Sequence, residues 1–309
     1  MVSSPRNCLV VCGPTASGKT ALGVALAQEF GGEILSADSR QVYRGMDIGT
    51  GKDLHEYTTP RGSVPYHLID ICAPEEIYTL HHYQRDFYAA FRDIRARARL
   101  PVVVGGTGLY IEAVLRHYRI PNVPEDPELR EELMRADIGE LLPRLRELDP
   151  GLYRNTDRSS KKRVVRALEI ALYARNHKIE RGEENPPPIE PLVLAVRWPR
   201  QELRARIDRR LAERLAGGMI EEVERILRSG IRRDRFDLFG MEYRHVAAYL
   251  DGTVSRQEME RNLRHAIHRL AKRQETWFRG MERRRIPLYW IDRADPDRAA
   301  HLVRKAGVC

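Results

Sequence analysis

An apolar run followed by a glycine-rich loop, close to the amino terminus, constrains the fold of this chain more than any other feature. Residues 8–12 read CLVVC, which predicts a buried strand, and the next eight residues read GPTASGKT. Strand, G-x-x-x-x-G-K-T and helix, in this order, make a P-loop, whose backbone N–H groups converge on a phosphate at the start of the helix. We therefore predict a di- or triphosphate site, although the motif alone leaves open whether the phosphates belong to a nucleotide. Its residues are Gly13, Pro14, Thr15, Ala16, Ser17, Gly18, Lys19 and Thr20, with Thr20 as ligand to a metal ion.

The composition is that of a globular chain large enough for a full core. The chain has 309 residues, of which 42% are hydrophobic, and this suits one large domain with an insertion, or two domains. No window approaches the roughly eighteen apolar residues of a membrane helix, and the start, MVSSPRN, lacks the basic and apolar regions of a signal peptide. The four cysteines indicate neither a disulfide framework nor a zinc site. We predict a cytoplasmic protein without a membrane partner.

Strands and helices alternate on both sides of a helical segment. Apolar runs predict strands at 34–36 and 102–104, and apolar residues at spacings of three and four predict a helix over 78–99. We predict an α/β fold, a P-loop NTPase-like parallel sheet flanked by helices, with an all-helical insertion domain. The core comprises residues 1–117 and 191–309, and the insertion comprises residues 118–190. Further predicted elements are a strand at 192–196, helices from 199, over 220–227 and over 255–283, and a strand at 288–291.

Two polar segments follow predicted strands and are therefore expected at the carboxyl edge of the sheet, where open α/β sheets bind ligands. Asp38 lies in SADSRQVYRGMDIG, residues 36–49, and Thr107 lies in GGTGLY, residues 105–110. Each residue is a candidate for a ligand contact, or simply a turn or helix-cap residue. No predicted strand ends in the aspartate that usually holds magnesium for nucleotide hydrolysis, which weakens the interpretation as an ATPase.

The predicted helix over 255–283 has a basic face. The residues on this face are Arg261, Arg264, His268, Lys272 and Arg279. Such a face is often only a solvated surface, but the same stretch carries Gln274, Trp277 and Phe278, which suit stacking and base-edge contacts with single-stranded RNA. The formal net charge of +9 also favours a polyanionic partner. These features together favour nucleic acid.

The motifs as a set resemble those of tRNA dimethylallyltransferases, which place an isopentenyl-type group on the adenosine immediately 3′ of the anticodon. The resemblance covers about residues 9–279, and it implies that the substrates are tRNA and dimethylallyl diphosphate and that Mg²⁺ is the cofactor. The strings that carry it are GPTASGKT, SADSRQVYRGMDIGTGK, YHLID, VVVGGTGLY, RVVRALE and AKRQETWFR. Because the sequence has no heptad seam, we expect a monomer.

The resemblance also implies roles for particular residues. The P-loop would hold the diphosphate as a leaving group, Arg210 would clamp it from the other side, and Asp38 would take a proton from the adenine N6 with Thr107 helping to position the amine. The catalytic residues are then Asp38, Thr107 and Arg210. The residues implied to contact tRNA are Asp38, Ser39, Arg40, Gln41, Thr107, Arg130, Lys162, Arg163, Arg166, Arg244, Lys272, Arg273, Gln274, Trp277 and Arg279.

In three segments the chain departs from the pattern of the family. Most relatives read GTAKP where residues 49–53 read GTGKD, the usual glutamine of QRxxRALE is Lys162, and GYxE or GYR is replaced by FGMEYR at residues 239–244. These departures spare the P-loop, Asp38, Thr107 and Arg210. They bear on RNA preference more than on the type of reaction.

Three alternatives remain at this point. An adenylate isopentenyltransferase would prenylate free AMP, ADP or ATP, but a free nucleotide needs neither the helical insertion nor the basic AKRQETWFR segment. A small-metabolite P-loop kinase would need a lid with arginines over the γ-phosphate. A non-catalytic RNA-binding module with a vestigial P-loop is disfavoured by the intact Lys19 and Thr20.

Overall fold

The computed structural model describes residues 6–308, which divide into two compact units. The larger unit consists of residues 6–117 and 186–308, and the smaller unit consists of residues 118–185. The first five residues and Cys309, which the sequence-based prediction assigns to the core, lie outside the described residues. Within residues 6–308, no helix combines the length and the apolar character that crossing a bilayer requires.

Across the described residues, six parallel strands form the central sheet, and two more form a short antiparallel hairpin. In chain order the strands are β1 (Cys8–Cys12), β2 (Gly32–Ser36), β3 (Thr58–Thr59), β4 (Gly62–Ser63), β5 (Tyr66–His67), β6 (Leu100–Gly105), β7 (Pro191–Arg197) and β8 (Tyr289–Asp292). The sheet order is β5-β2-β6-β1-β7-β8, and Val10 of β1 pairs with Val103 of β6 and Val193 of β7. The predicted parallel sheet is thus confirmed, with the P-loop strand inside it.

Helices flank the sheet and make up the smaller unit. The larger unit contains α1 (Lys19–Glu29), α2 (Leu80–Ala96) and α3 (Gly108–Leu115). The smaller unit contains α4 (Pro127–Arg135), α5 (Ile138–Leu148), α6 (Pro150–Asn155) and α7 (Lys161–Asn176). The larger unit resumes with α8 (Arg200–Ala216), α9 (Met219–Arg228), α10 (Phe236–Phe239), α11 (Met241–Leu250), α12 (Arg256–Arg283) and α13 (Pro296–Lys305).

Alternate side chains of β1 pack on opposite faces of the sheet. Val10 joins an apolar cluster with Phe87 of α2, whereas Val11 joins a second cluster with Leu26 of α1 and Val303 of α13. Burial on both faces explains why the strands read as continuous apolar runs, as is usual in parallel sheets. The smaller unit has a core of its own, formed mainly by leucines and valines of α4, α5 and α7.

A third cluster of the larger unit packs α8, α9, α11 and α12 against the segment that follows β2. Here the buried carboxylate of Glu222, in the first turn of α9, accepts hydrogen bonds from the backbone N–H groups of Asp47, Ile48 and Gly49 at 2.8, 2.8 and 2.9 Å. It also accepts one from the Tyr243 hydroxyl at 2.7 Å. Because charge-assisted bonds of this kind are strong and the carboxylate is buried, Glu222 fixes the position of this segment.

Replacing Glu222 with Gln is therefore expected to lower the free energy of unfolding by about 2–4 kcal/mol, since an amide cannot accept from all four donors. The adjacent Glu221→Gln is the matched control, because Glu221 is exposed in the same helical turn, and we expect a change within about 0.5 kcal/mol. Urea denaturation of both variants measures the difference. Equal losses in the two variants would show that Glu222 has no such anchoring role.

Candidate active site at the carboxyl edge of the sheet

Four strands of the sheet deliver polar segments to its carboxyl edge. The P-loop follows β1, Asp38 follows β2, Thr107 follows β6 and Trp198 follows β7. Because these strands are parallel neighbours, all four segments meet at one edge. Lys19, Asp38 and Arg210 line the same cavity there. The structure therefore brings together the three groups that the sequence placed far apart.

The P-loop is held from outside by side chains that bind its carbonyl groups. Trp198 donates from Nε1 to the Ser17 carbonyl at 2.8 Å, and Arg206 donates from Nε to the Ala16 carbonyl at 2.8 Å. The Arg206 guanidinium also lies over the Trp198 ring, 4.3 Å from its centroid. These contacts fix the position of the loop backbone at Ala16 and Ser17. This arrangement is preorganised for an anion.

Lys19 lies in an environment that weakens its charge. Its ammonium group donates to the Pro14 carbonyl at 3.3 Å. Burial lowers the pKa of Lys19 to about 8, Asp38 opposes this change, and Arg210 adds to it. A bound diphosphate would bring negative charge to this ammonium group and so favour its protonated form.

Asp38 and Thr107 are joined through the backbone. The Ser39 N–H donates to the Thr107 hydroxyl at 3.1 Å, and the Thr107 N–H donates to the Ala37 carbonyl at 3.1 Å. Asp38 itself accepts from the Arg40 N–H through Oδ1 at 3.0 Å. Gly105 permits this approach, because a Cβ there would lie 2.1 Å from the Ala37 carbonyl oxygen. Asp38 lines the same cavity as Lys19 and Arg210.

The opposite wall of the cleft is formed by α8, whose arginines face the P-loop. Arg210 pairs with Asp53, and Arg214 lies 3.8 Å from the same carboxylate oxygen. The cleft has a volume of about 490 Å³ and includes Lys19 and Thr20. Burial, together with the nearby charge of Arg210, lowers the pKa of Arg214 to about 10. Arg214 was not predicted as a site residue.

The GTGKD segment, residues 49–53, takes a backbone path of its own. Gly51 has a φ of 66°, and a Cβ at this position would lie 1.5 Å from Nη2 of Arg214. Asp53 has a φ of 45°, in the left-handed region that proline cannot adopt. Lys52 between them is buried and donates to the Tyr43 carbonyl at 2.8 Å, to Asp47 at 2.6 Å and to Asp70. Both positions at which this segment departs from GTAKP, Gly51 and Asp53, therefore have a left-handed backbone.

The long helix α12 contacts the site through Gln274. Its amide accepts from the Thr15 N–H at 2.9 Å and donates to the Gly106 carbonyl at 2.9 Å, which joins the P-loop to the turn after β6. Trp277 packs against Gly108 and lies under the Arg284 guanidinium. Three of the predicted tRNA contacts are exposed on the same helix: Lys272, Arg273 and Arg279.

Other predicted tRNA contacts of the larger unit surround Asp38. Arg40 forms a salt bridge of 3.0 Å with the buried Glu242, and the Gln41 amide donates to the Gly51 carbonyl at 3.0 Å. The Ser39 backbone N–H donates to the Thr107 hydroxyl. Arg244 is exposed and lies 3.9 Å from Asp237.

In the smaller unit, most of the predicted tRNA contacts form ion pairs. Arg130 makes two hydrogen bonds to Glu169, at 3.1 and 2.7 Å, and Arg166 donates to the Val123 carbonyl at 2.6 Å. Arg163 pairs with Asp157 at 2.7 Å, and Lys162 is exposed. Arg130 and Arg166 therefore also stabilise the smaller unit.

The oxygen atoms that line the cleft suit a small divalent cation that is bound partly by phosphate oxygens of the substrate. In the part of the chain that the structure describes, no group of three or more His, Cys, Asp or Glu residues forms a metal cluster. Thr20 lines the cleft together with the carboxylate of Glu56. Mg²⁺ prefers oxygen ligands and commonly binds through substrate phosphates with few protein groups, so a magnesium diphosphate fits these residues.

Sequence reasoning missed four residues that hold or extend the site. Trp198 and Arg206 hold the P-loop, Arg214 lies beside Arg210, and Glu222 anchors the opposite segment. Helical spacing alone places Arg206, Arg210 and Arg214 on one face of α8 at intervals of four residues. That spacing was the one available signal for Arg214.

Family models, sequence relatives and solved structures that match this chain all name the same kind of protein. The family model described as IPP transferase matches residues 41–281, and the one described as isopentenyl transferase matches residues 6–60. "tRNA dimethylallyltransferase 2" of Trichlorobacter lovleyi is 50% identical over 303 residues, which cover 97% of this chain and 97% of its own. A protein of the same name from Pelobacter propionicus is 52% identical over 94% of this chain and 91% of its own. The crystal structure of the tRNA isopentenylpyrophosphate transferase from Bacillus halodurans superposes with a TM-score of 0.70 at 33% identity, covering 97% of this chain and 95% of that one. The chain belongs to the IPP transferase family.

Proposed function

We propose that this chain transfers a dimethylallyl group from dimethylallyl diphosphate to N6 of the adenosine 3′-adjacent to the anticodon in tRNA, with release of diphosphate. The observation that carries the proposal is the shared cavity in which Lys19 and Arg210, two cations, face the carboxylate of Asp38. The reaction needs cations that stabilise the departing diphosphate, and it needs a proton acceptor next to them. Family membership supports the same assignment.

In the proposed reaction the P-loop and α8 hold the diphosphate. The C1–O bond of the dimethylallyl group breaks, and the electron pair goes to the diphosphate oxygen. Negative charge that develops there is stabilised by the N–H groups at the start of α1, by Lys19 and by Arg210. Thr20, together with diphosphate oxygens, would hold Mg²⁺, which when bound supplies additional charge neutralisation.

Asp38 is the proposed general base. The lone pair of adenine N6 is delocalised into the ring, so the amine is a poor nucleophile until its proton is removed. As the N6–C1 bond forms, the N6 proton passes to the Asp38 carboxylate, whose Oδ1 is held by the Arg40 N–H. The Thr107 hydroxyl, next to Ser39, is proposed to position the amine.

The target adenosine has to leave the stacked anticodon loop to reach a cavity of this kind. We propose that exposed cations contact the tRNA backbone, mainly Lys162 of the smaller unit and Arg244, Lys272, Arg273 and Arg279 of the larger one. Contacts to phosphate set orientation more than sequence preference. A monomeric state and a cytoplasmic location are further parts of this proposal.

The proposal is tested by incubating the protein with dimethylallyl diphosphate and magnesium, and with either unmodified tRNA or AMP. We expect mass spectrometry to detect a dimethylallyl group on one adenosine of the tRNA and none on AMP. Transfer to AMP but not to tRNA would identify an adenylate isopentenyltransferase instead. Phosphate transfer from ATP without prenylation would favour a kinase.

Replacing Asp38 with Asn or Ala is expected to lower kcat by about 10²- to 10⁴-fold, since the proton acceptor is lost. Asn keeps an oxygen that can accept from the Arg40 N–H, so Asp38→Asn preserves the turn and separates chemistry from folding. Affinity for tRNA, measured by filter binding, is expected to stay within about threefold for both variants. Near-normal turnover in Asp38→Asn would exclude this residue as the base.

The lowered pKa of Lys19, about 8, gives a prediction for pH dependence. Below pH 8 the free enzyme carries a protonated Lys19 that attracts diphosphate, and above pH 8 this charge is lost. The value of kcat/KM for dimethylallyl diphosphate should therefore fall by up to about fivefold from pH 8 to pH 9, with a smaller fall in kcat. Lys19→Arg, whose guanidinium stays protonated, is the control. The same inflection in that variant would assign it to another group.

A further inference from the structure

A carboxylate of this chain occupies the arginines that face the P-loop. Asp53 pairs with Arg210 and lies 3.8 Å from Nη2 of Arg214. All three side chains are at least partly shielded from solvent, with side-chain exposures of 27% for Asp53, 28% for Arg210 and 14% for Arg214. The two arginines therefore share one negative partner, at the mouth of the cleft that includes Lys19.

The position of Asp53 on the chain makes this pairing unusual. It precedes the 3₁₀ helix Leu54–Tyr57 at the N-cap, yet its side chain makes no capping hydrogen bond. Aspartate at an N-cap normally binds the helix N–H groups. Here the left-handed φ of 45° and the close packing of Gly51 against Arg214 direct the carboxylate to the arginines instead. The local backbone thus favours the ion pair over the cap.

We propose that Asp53 is an internal competitor of diphosphate, which takes over Arg210 and Arg214 when diphosphate leaves and so speeds its release. This inference rests on the proposed function, in which Arg210 binds the diphosphate. With Lys19, Arg210 and Arg214 at one cleft, released diphosphate would otherwise leave three cations facing each other. Asp53 lowers the cost of that state, and it weakens binding of diphosphate because the ion pair has to open first.

The direction of the effect distinguishes competition from a structural role. Removal of a carboxylate that merely supports the fold weakens ligand binding, because the binding groups lose their positions. Removal of a competitor strengthens binding, because Arg210 and Arg214 become available without an exchange of partners. Asp53→Asn is the suitable change, since Asn tolerates the left-handed backbone of this position and lacks the charge.

The test is isothermal titration of sodium pyrophosphate into the full chain, with magnesium and again with EDTA. We expect Asp53→Asn to bind pyrophosphate about three- to tenfold more tightly than the unmodified protein in both buffers. Glu213→Gln is the matched control, because Glu213 is an exposed carboxylate of α8 that lines the same cleft. We expect its affinity to stay within about twofold. Asp53→Gly, which also permits a φ of 45°, is the second variant, and the thermal midpoint of each protein checks its folding.

Unchanged or weaker binding by a folded Asp53→Asn would overturn the inference. Weakening that appears only with magnesium would show that Asp53 is a metal ligand, which also overturns it. Equally tighter binding by Glu213→Gln would show that the loss of any negative charge in the cleft has this effect. That result would also overturn the inference. Failure of the unmodified protein to bind pyrophosphate at all would instead contradict the proposed function, so the two failures are distinguishable.

Discussion

The pairing of β1 with a parallel strand on each side is the constraint on which the rest of the structure depends. Cys12, the last residue of β1, pairs with Gly105 of β6 and Ala195 of β7, so these strands reach the carboxyl edge together. The P-loop and the Thr107 turn start from points separated by one strand spacing, about 4.8 Å. A site built on such points needs little reorganisation when an anion arrives. That property is what stabilisation of a departing charge requires.

Residues 47–53, which contact the arginines of α8, are held by buried charges and not by strand pairing. Glu222 accepts hydrogen bonds from the N–H groups of residues 47–49. The buried Lys52 forms ion pairs with Asp47 and Asp70. Buried charges are tolerated only when their partners are complete, and such networks specify one conformation more than they add stability. The segment that carries Asp53 is consequently anchored on the side of Asp47 and Lys52.

The sequence was sufficient for the fold because its signals are local or periodic. Apolar runs marked β1, β6 and β7, apolar spacing marked α2 and α12, and the parallel-sheet rule then placed Asp38 near the P-loop. The pairing of Asp53 with Arg210 has no local signature, since 157 residues separate the two. The same limit applies to Arg130, because a basic helix face does not reveal that Glu169 is already its partner. Short elements such as β5, of two residues, lie below the length at which a pattern is visible.

Because of Gln274, part of the site can form only after most of the chain has been synthesised. Its amide joins Thr15 to Gly106, so the loop at the start of the chain is completed by a residue near its end. During translation, β1 emerges first and can acquire β6 early, but its other neighbour, β7, begins only at Pro191. Until then one edge of the central strand lacks its partner, and such edges are prone to pair with other chains. Long sequence separations of this kind also slow folding. The nascent chain is thus most exposed to aggregation while the segments between β1 and β7 are being synthesised.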